Sequence, residues 1–361
     1  MKEFRLQPKI LFGEDSLDYL KTLEYKKVMI VTDEVMTQLK LTDFITNNLS
    51  SSTEVKIFNK VEPNPSMTTI ENGLKDFIDF EPQCVIALGG GSPIDACKAI
   101  LYFAYELYKK LKVNKKVFFI AVPTTSGTGS EVTSYAVLTD RKNNIKIPLK
   151  DDVMFPEFAI LDPELTKTLP KSVVADSGID ALTHAIESYT CKGANFYTQI
   201  YALYSIKLIF KNLFRMYNNI QDEEARVEMS KASCIAGFAF EKSGLGINHS
   251  IAHAIGGKFH IAHGKINGTI LPYIIRFNSE NKTTAQRYYE ISKDLGFPAN
   301  NTEEGAESLA VAVEVLNKGE AGVMIGIEKN EMVTHPLEQA CSVDRRKSIE
   351  KDYDLAILLS R

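Results

Sequence analysis

Four short apolar runs, Lys27 to Val31, Glu54 to Phe58, Cys84 to Leu88 and Val117 to Val122, recur through about residue 160, each bounded by polar or glycine-containing segments. Runs of this length read as strands buried on both faces. Between them, Met67 to Phe80 and Pro93 to Tyr108 repeat apolar positions at helical spacing. Strands alternating with helices predict an α/β unit with a mostly parallel, Rossmann-like sheet, helices on both faces and ligands beyond the strands' carboxyl ends. After Asp162-Pro163 the texture changes: Val173 to Thr190, Tyr197 to Tyr217, Asp222 to Phe240 and Ala285 to Leu295 carry helical periodicity with little strand signal. The pattern predicts an α/β domain over residues 1–162 and an all-α domain over residues 163–361, packed closely because no Gly/Ser- or Pro-rich linker separates them.

Composition narrows the class. The chain has 361 residues, room for two cores. Lys and Arg number 42 against 46 acidic residues, with no long run of either sign, which argues against a nucleic-acid partner. No signal-like apolar run opens the chain and no uninterrupted apolar stretch of about 18 residues occurs, so no membrane partner and a cytoplasmic location are expected. The five cysteines are scattered without a CxxC pair, so neither a disulfide framework nor a thiolate metal site is indicated. Histidine behaves differently: of six, five (His184, His249, His253, His260 and His263) fall between residues 184 and 263.

The apolar run ending at Leu88 enters Gly89-Gly90-Gly91-Ser92-Pro93-Ile94-Asp95, followed by a helical stretch. Ser92 has the chemistry of an N-cap, Pro93 that of a first helical residue, and Asp95 stands at capping-box spacing. A glycine turn feeding a helix start can hold a pyrophosphate on exposed N–H groups, although Ile94 occupies the place of the third glycine in GxGxxG. An ordinary tight turn is the equal alternative. A second loop, Pro123 to Thr133, supplies hydroxyls and glycines after the next strand, including Thr124, Thr125 and Thr128. It suits ribose or phosphate oxygens on the same crevice, or a plain solvated turn. Asp33, past the first of these strands, suits either ribose hydroxyls or the N-cap of the next helix.

Asp180 and His184 stand four apart in a helical segment, so both project from one face. His249 and His253 repeat that spacing, and Gly256-Gly257 is expected to end their helix before His260 and His263. Asp180, His184, His249 and His263 together offer three imidazoles and one carboxylate, suited to iron(II) or zinc(II) with room for a substrate oxygen. A lone histidine in a sequence is more often a packing residue, and only the clustering favours a metal site.

Four blocks in order, GGGSPIDACK from Gly89, PTTSGTGSEVT from Pro123, GIDALTHAIE from Gly178 and GLGINHSIAHAIGGKFHIAHG from Gly244, resemble the iron-dependent, or group III, alcohol dehydrogenases. The likeness covers roughly residues 5 to 280, with Ala262 where relatives often carry proline and a weakly matched stretch from about Asn300. It is nearest to the propanol and ethanol dehydrogenases of diol or ethanolamine breakdown and to the alcohol-dehydrogenase half of bifunctional aldehyde-alcohol enzymes.

The resemblance implies a dinucleotide-binding domain followed by a helical metal domain. It places metal ligands on Asp180, His184, His249 and His263, with iron(II) first and zinc(II) second. It sets His253 near the substrate as the catalytic candidate; an imidazole, with an unperturbed pKa near 6.5, suits a relay of the alcohol proton toward solvent, the alternative being a packing residue on the ligand helix. For NAD(H) it points to Asp33, Asn64, Gly90, Gly91, Ser92, Thr124, Thr125, Thr128, Val137, Lys146, Leu165 and Leu169, to which the turn residues Pro93 and Ile94 add. Asp33 favours NAD over NADP. The implied activity is reversible hydride transfer between a small primary alcohol or diol, or its aldehyde, and NAD, in a homodimer or larger homo-oligomer that is cytoplasmic or housed in a bacterial metabolic compartment.

A dehydroquinate-synthase-like lyase needs several cations near the metal, and between Ser243 and Gly264 only Lys258 is cationic. A glycerol-dehydrogenase-like enzyme shares the fold. A silent binding subunit predicts a broken ligand set, which is not found, and no GxSxG supports a serine hydrolase.

Overall fold

The computed structural model describes residues 4–318 apart from Asn144 and His260. The first half runs β1 (Lys9–Phe12), β2 (Lys27–Val31), α1 (Glu34–Gln38), α2 (Leu41–Thr46), β3 (Glu54–Phe58), α3 (Met67–Phe80), β4 (Cys84–Gly89), α4 (Gly91–Leu111), β5 (Phe118–Pro123), β6 (Tyr135–Asp140), β7 (Ile145–Lys150) and β8 (Phe158–Leu161). Six strands form one parallel sheet in the order β1-β8-β5-β4-β2-β3. Alternate residues serve two cores: Met29, Val31, Val85 and Ala87 face α3 and α4, while Val28, Ile30, Ile86 and Leu88 pack with α1 and α2 on the other side. Burial on both faces is why these strands read as continuous apolar runs. Their expected positions hold to within a residue or so.

The chain reverses its direction across the sheet between β2 and β4, opening a crevice at their carboxyl ends. There the Thr32 hydroxyl donates to the Leu88 carbonyl at 2.7 Å, tying the segment before Asp33 to the glycine turn. Strands β1 and β8, each of four residues, and the antiparallel hairpin β6–β7 were not anticipated. The first two are too short to show a period, and Pro148 with exposed Ile145 breaks the alternation of β7.

The second half is helical: α5 (Lys171–Thr190), α6 (Phe196–Asn218), α7 (Glu223–Ser243), α8 (Ile247–Phe259), α9 (His263–Asn278), α10 (Lys282–Leu295) and α11 (Thr302–Lys318). Helix α5 is buried continuously from Gly178 to Tyr189, packed by α6, α7 and α9, so its polar residues lie in the interior. The expectation that Gly256-Gly257 ends α8 is corrected: the helix continues to Phe259, because both glycines are buried and Gly256 packs against α9 near Ile266. Among the described residues no helix is long and apolar enough to cross a membrane. His260 and the part of the expected second domain beyond residue 318 lie outside the described residues.

Candidate active site

The glycine turn and the hydroxyl loop, far apart in sequence, touch. A Cβ on Gly90 would stand 3.2 Å from Thr125 Oγ1, and one on Gly91 would stand 2.6 Å from Thr128 Cγ2. Glycine is required there because the loop lies over the turn. Gly89 has φ 144°, a conformation L side chains rarely adopt, and Pro93 packs where its Cβ would go. The capping prediction is corrected: α4 begins at Gly91 with Gly90 as N-cap, and Ser92 Oγ accepts from the Asn64 backbone at 3.1 Å. Asp95 does not turn back to the cap; it accepts from Ser130 Oγ at 2.6 Å and from the Val137 N–H at 2.9 Å.

Asn64 also accepts from Lys146, whose Nζ donates to Thr139 Oγ1 at 3.0 Å. Pro93 and Ile94 are turned into the core, and Thr124 is buried with its hydroxyl against Met36. Asp33 is half-buried and caps α1, accepting from the Met36 N–H at 2.9 Å. Leu165 is buried in the sheet core and Leu169 packs against the helical core.

Beneath the loop lies buried Lys98, which donates to Ser130 Oγ, Thr133 Oγ1 and the Tyr135 carbonyl at 2.8–3.0 Å. Burial pushes its pKa down to about 8, against the pull of Asp95. On the helical side Glu241 takes both the Ser134 N–H and hydroxyl at 2.9 Å. The loop is also seated on the helices by glycines, since a Cβ on Gly127 would lie 2.8 Å from the Ser177 carbonyl oxygen.

The helical half brings its donors together on three helices. Asp180 and His184 come from α5, His249 from α8 and His263 from α9. Donor atoms of Asp180, His184 and His249 lie within 4.8 Å of one another. His263 Nε2 joins them at 3.7 Å from Asp180 Oδ1. His253 sits alongside, its ring stacked on His263 with centroids 4.9 Å apart.

Sequence reasoning passed over three partners. Glu187, at i+3 from His184 on the same face of α5, meets His249 Nδ1 at 2.6 Å and accepts from the Asn248 N–H at 2.7 Å. A carboxylate on the far nitrogen of a ligand histidine fixes its tautomer and ring direction. Its spacing from Asp180 and His184 was the available signal. Asn267, at i+4 from His263, and Asn248 complete the surroundings, and no charge or histidine marked them.

Burial would raise the Asp180 carboxyl, but the rings of His184, His263 and His249 hold it well below the usual range. Burial pushes His184 and His263 down to about 4 against the pull of Asp180. Burial also opposes charge on His249, yet its bonds to Asp180 and Glu187 lift it to about 9. Two buried carboxylates thus require a positive charge between them. The donor set fits a divalent ion: buried His184 Nδ1 has no hydrogen-bond partner, while the ring lies beside the backbone of Gly127 in the hydroxyl loop. The pKa premise for His253 is corrected, since burial, then His263 and His249, push it down to about 3 and keep the ring neutral.

Lys146 links the two halves electrostatically, acting on Asp95 at the turn and on His253 and His263.

Comparison with known proteins identifies the family. The family model described as iron-containing alcohol dehydrogenase matches residues 7–163, and the C-terminal model of the Fe-containing alcohol dehydrogenase family matches residues 174–357. The second match extends well past Asn300, where the motifs alone showed little likeness. An aldehyde-alcohol dehydrogenase of Streptococcus pneumoniae is 42% identical over 91% of this chain, which spans 40% of the length of that relative. An NADPH-dependent butanol dehydrogenase of Clostridium saccharobutylicum is 42% identical over 88% of this chain and 84% of its own. A 1-propanol dehydrogenase of Salmonella typhimurium is 37% identical over 88% and 85%. Among solved structures, sulfoacetaldehyde reductase from Bifidobacterium kashiwanohense in complex with NAD+ superposes with a TM-score of 0.79, at 27% identity over 95% of this chain and 93% of that one.

Proposed function

From the premise that the chain belongs to the iron-containing alcohol dehydrogenase family, we propose that it moves a hydride reversibly between NAD and a short primary alcohol or diol, or the corresponding aldehyde. Support comes chiefly from one observation: the His184 ring, whose Nδ1 lies 3.8 Å from Asp180 Oδ2, sits beside the backbone of Gly127 in the loop that covers the glycine turn. The donor cluster and the phosphate-type turn therefore meet the same loop, the turn through Thr125 and Thr128 and the cluster through Gly127.

In this reading Asp180, His184, His249 and His263 hold a divalent ion, iron(II) in preference to zinc(II). When bound, such an ion supplies Lewis acidity toward the substrate oxygen, and NAD supplies the hydride acceptor. Glu187 keeps the proton of His249 on Nδ1, so that Nε2 is free as a donor. The backbone N–H groups at the start of α4, with Thr125 and Thr128, hold the pyrophosphate. His253, neutral beside His263, accepts the hydrogen bond of the substrate hydroxyl. Asp33 places a carboxylate at the end of β2, where it repels a 2′-phosphate and favours NAD.

The test is a screen of ethanol, 1-propanol, 1-butanol, propanediols and their aldehydes with NAD(H) and NADP(H), on protein stripped and reloaded with iron(II) or zinc(II). The expected result is turnover with NAD(H) that is lost on chelation and restored by reloading. Turnover that survives chelation, or none with any substrate, would refute the proposal.

A further inference from the structure

Asn267 is fully buried and its side-chain amide is aimed into the donor cluster. Its Nδ2 lies 2.7 Å from Asp180 Oδ1, 3.2 Å from His249 Nε2 and 3.1 Å from His263 Nε2. One amide nitrogen therefore reaches one donor atom from each of α5, α8 and α9. Its orientation follows from the neighbouring bonds. Asn248 Nδ2 lies 3.4 Å from the Asn267 backbone carbonyl, which only accepts, so the nitrogen of Asn248 must face α9. That nitrogen then donates to Asn267 Oδ1 at 2.9 Å, which turns the Asn267 nitrogen, not its oxygen, toward Asp180.

From this geometry we infer that Asn267 is a positioning residue of the metal centre, holding the Asp180 carboxylate and the two imidazoles in register and thereby setting the affinity and ligand field of the ion. The inference rests on the metal site assigned in the proposed function. An amide nitrogen carries two hydrogens, which it directs at Asp180 Oδ1 and His263 Nε2, with His249 Nε2 at 3.2 Å. Donation to the Nε2 lone pair of His263 favours the tautomer in which that nitrogen carries no proton, the form a cation needs. The bond from the amide holds Asp180 Oδ1, the oxygen 3.7 Å from Nε2 of both His249 and His263, and so sets the direction of Oδ2, 3.8 Å from His184 Nδ1. A carboxylate fixed through one oxygen offers the other in a single direction, and an unfixed one must lose rotational freedom on binding.

The experiment compares the parent protein with N267L, which keeps the bulk and removes the donor. Zinc(II) affinity is read by competition with a chromophoric chelator, and the ligand field by the visible absorption of cobalt(II)-loaded protein. Circular dichroism checks that the variant is folded. The expected result is a folded variant that binds zinc(II) about 10- to 100-fold more weakly, the range typical for lost outer partners of metal ligands, with shifted cobalt(II) bands. A variant that loses stability yet binds zinc(II) as tightly as the parent, with an unchanged cobalt(II) spectrum, overturns the inference and leaves the metal site standing. If the parent itself binds no divalent ion, the metal site and this inference fall together. Should N267L not fold, N248L carries the test, because it leaves the Asn267 amide in place but removes the bond that orients it. A several-fold loss of affinity supports the inference there, and unchanged affinity overturns it.

Discussion

Gly264 lies so close to the main chain of Asp176 that a Cβ on the glycine would overlap the Asp176 carbonyl oxygen. The contact presses the start of α9 against α5 one turn before Asp180, and His263, the residue before Gly264, is thereby held beside that carboxylate. Backbone meets backbone here, so no rotamer change can relieve an added methyl group. G264A is expected to cost on the order of 3 kcal/mol or more in stability and to reduce the metal bound per chain. Thermal melting with metal analysis checks it; a normal melt with full metal content would show that α9 does not depend on this contact.

Glu187 orients His249 from the side away from the donor cluster. E187Q keeps the size of the side chain but removes the charge that holds the proton on Nδ1. Metal affinity should fall about 10- to 100-fold, with the dinucleotide affinity unchanged. The two are measured separately, by chelator competition and by NADH titration. A parallel loss of both would mean that Glu187 supports the fold at large.

The contact of Gly91 with Thr128 offers a test of the proposed cofactor turn apart from the metal site. G91A would put a methyl group 2.6 Å from Thr128 Cγ2 and push the loop away from the turn. The Kd for NADH should rise about tenfold or more while metal content stays at the parent level. Nicotinamide fluorescence reads this cleanly, because the chain contains no Trp. Equal affinity in the variant would disconnect the turn from the dinucleotide.

Burial pushes the Glu131 carboxyl up to about 7 from its ordinary 4.5, only partly opposed by its own backbone N–H and by Lys98. Between those two values the folded chain keeps a proton that the unfolded chain has released, so unfolding becomes easier as pH rises. The slope is at most about 1.4 kcal/mol per pH unit. E131Q cannot titrate, so the stability of the parent minus that of the variant should decline across this window. Denaturant unfolding at a series of pH values measures the difference, and a flat difference would refute the assignment.

Much of this architecture is written locally. The strands β2, β4 and β5 are apolar because both faces of a parallel sheet are covered, whereas β3, at the sheet edge, keeps Glu54 and Ile57 exposed; α3 and α5 show their helical period, so the α/β half and the helical half are legible from spacing alone. Asp180 with His184, and His249 with His253, are recognisable because four residues make about one helical turn, and that relation survives whatever surrounds the helix.

What spacing cannot carry is contact between elements distant in the chain. The hairpin β6–β7 and strands β1 and β8 exist because a neighbour is there to pair with them, and α8 passes through Gly256-Gly257 because α9 fills the space beside it. Glu187 becomes the partner of His249 across 62 positions, and Asn267 reaches Asp180 across 87, through packing that no local period encodes. The sequence by itself determined which residues could donate to a cation and which turn could receive a phosphate. Only the tertiary structure decided which nitrogen and oxygen atoms face one another, because hydrogen bonds and ion coordination depend on distances that the folded core alone sets.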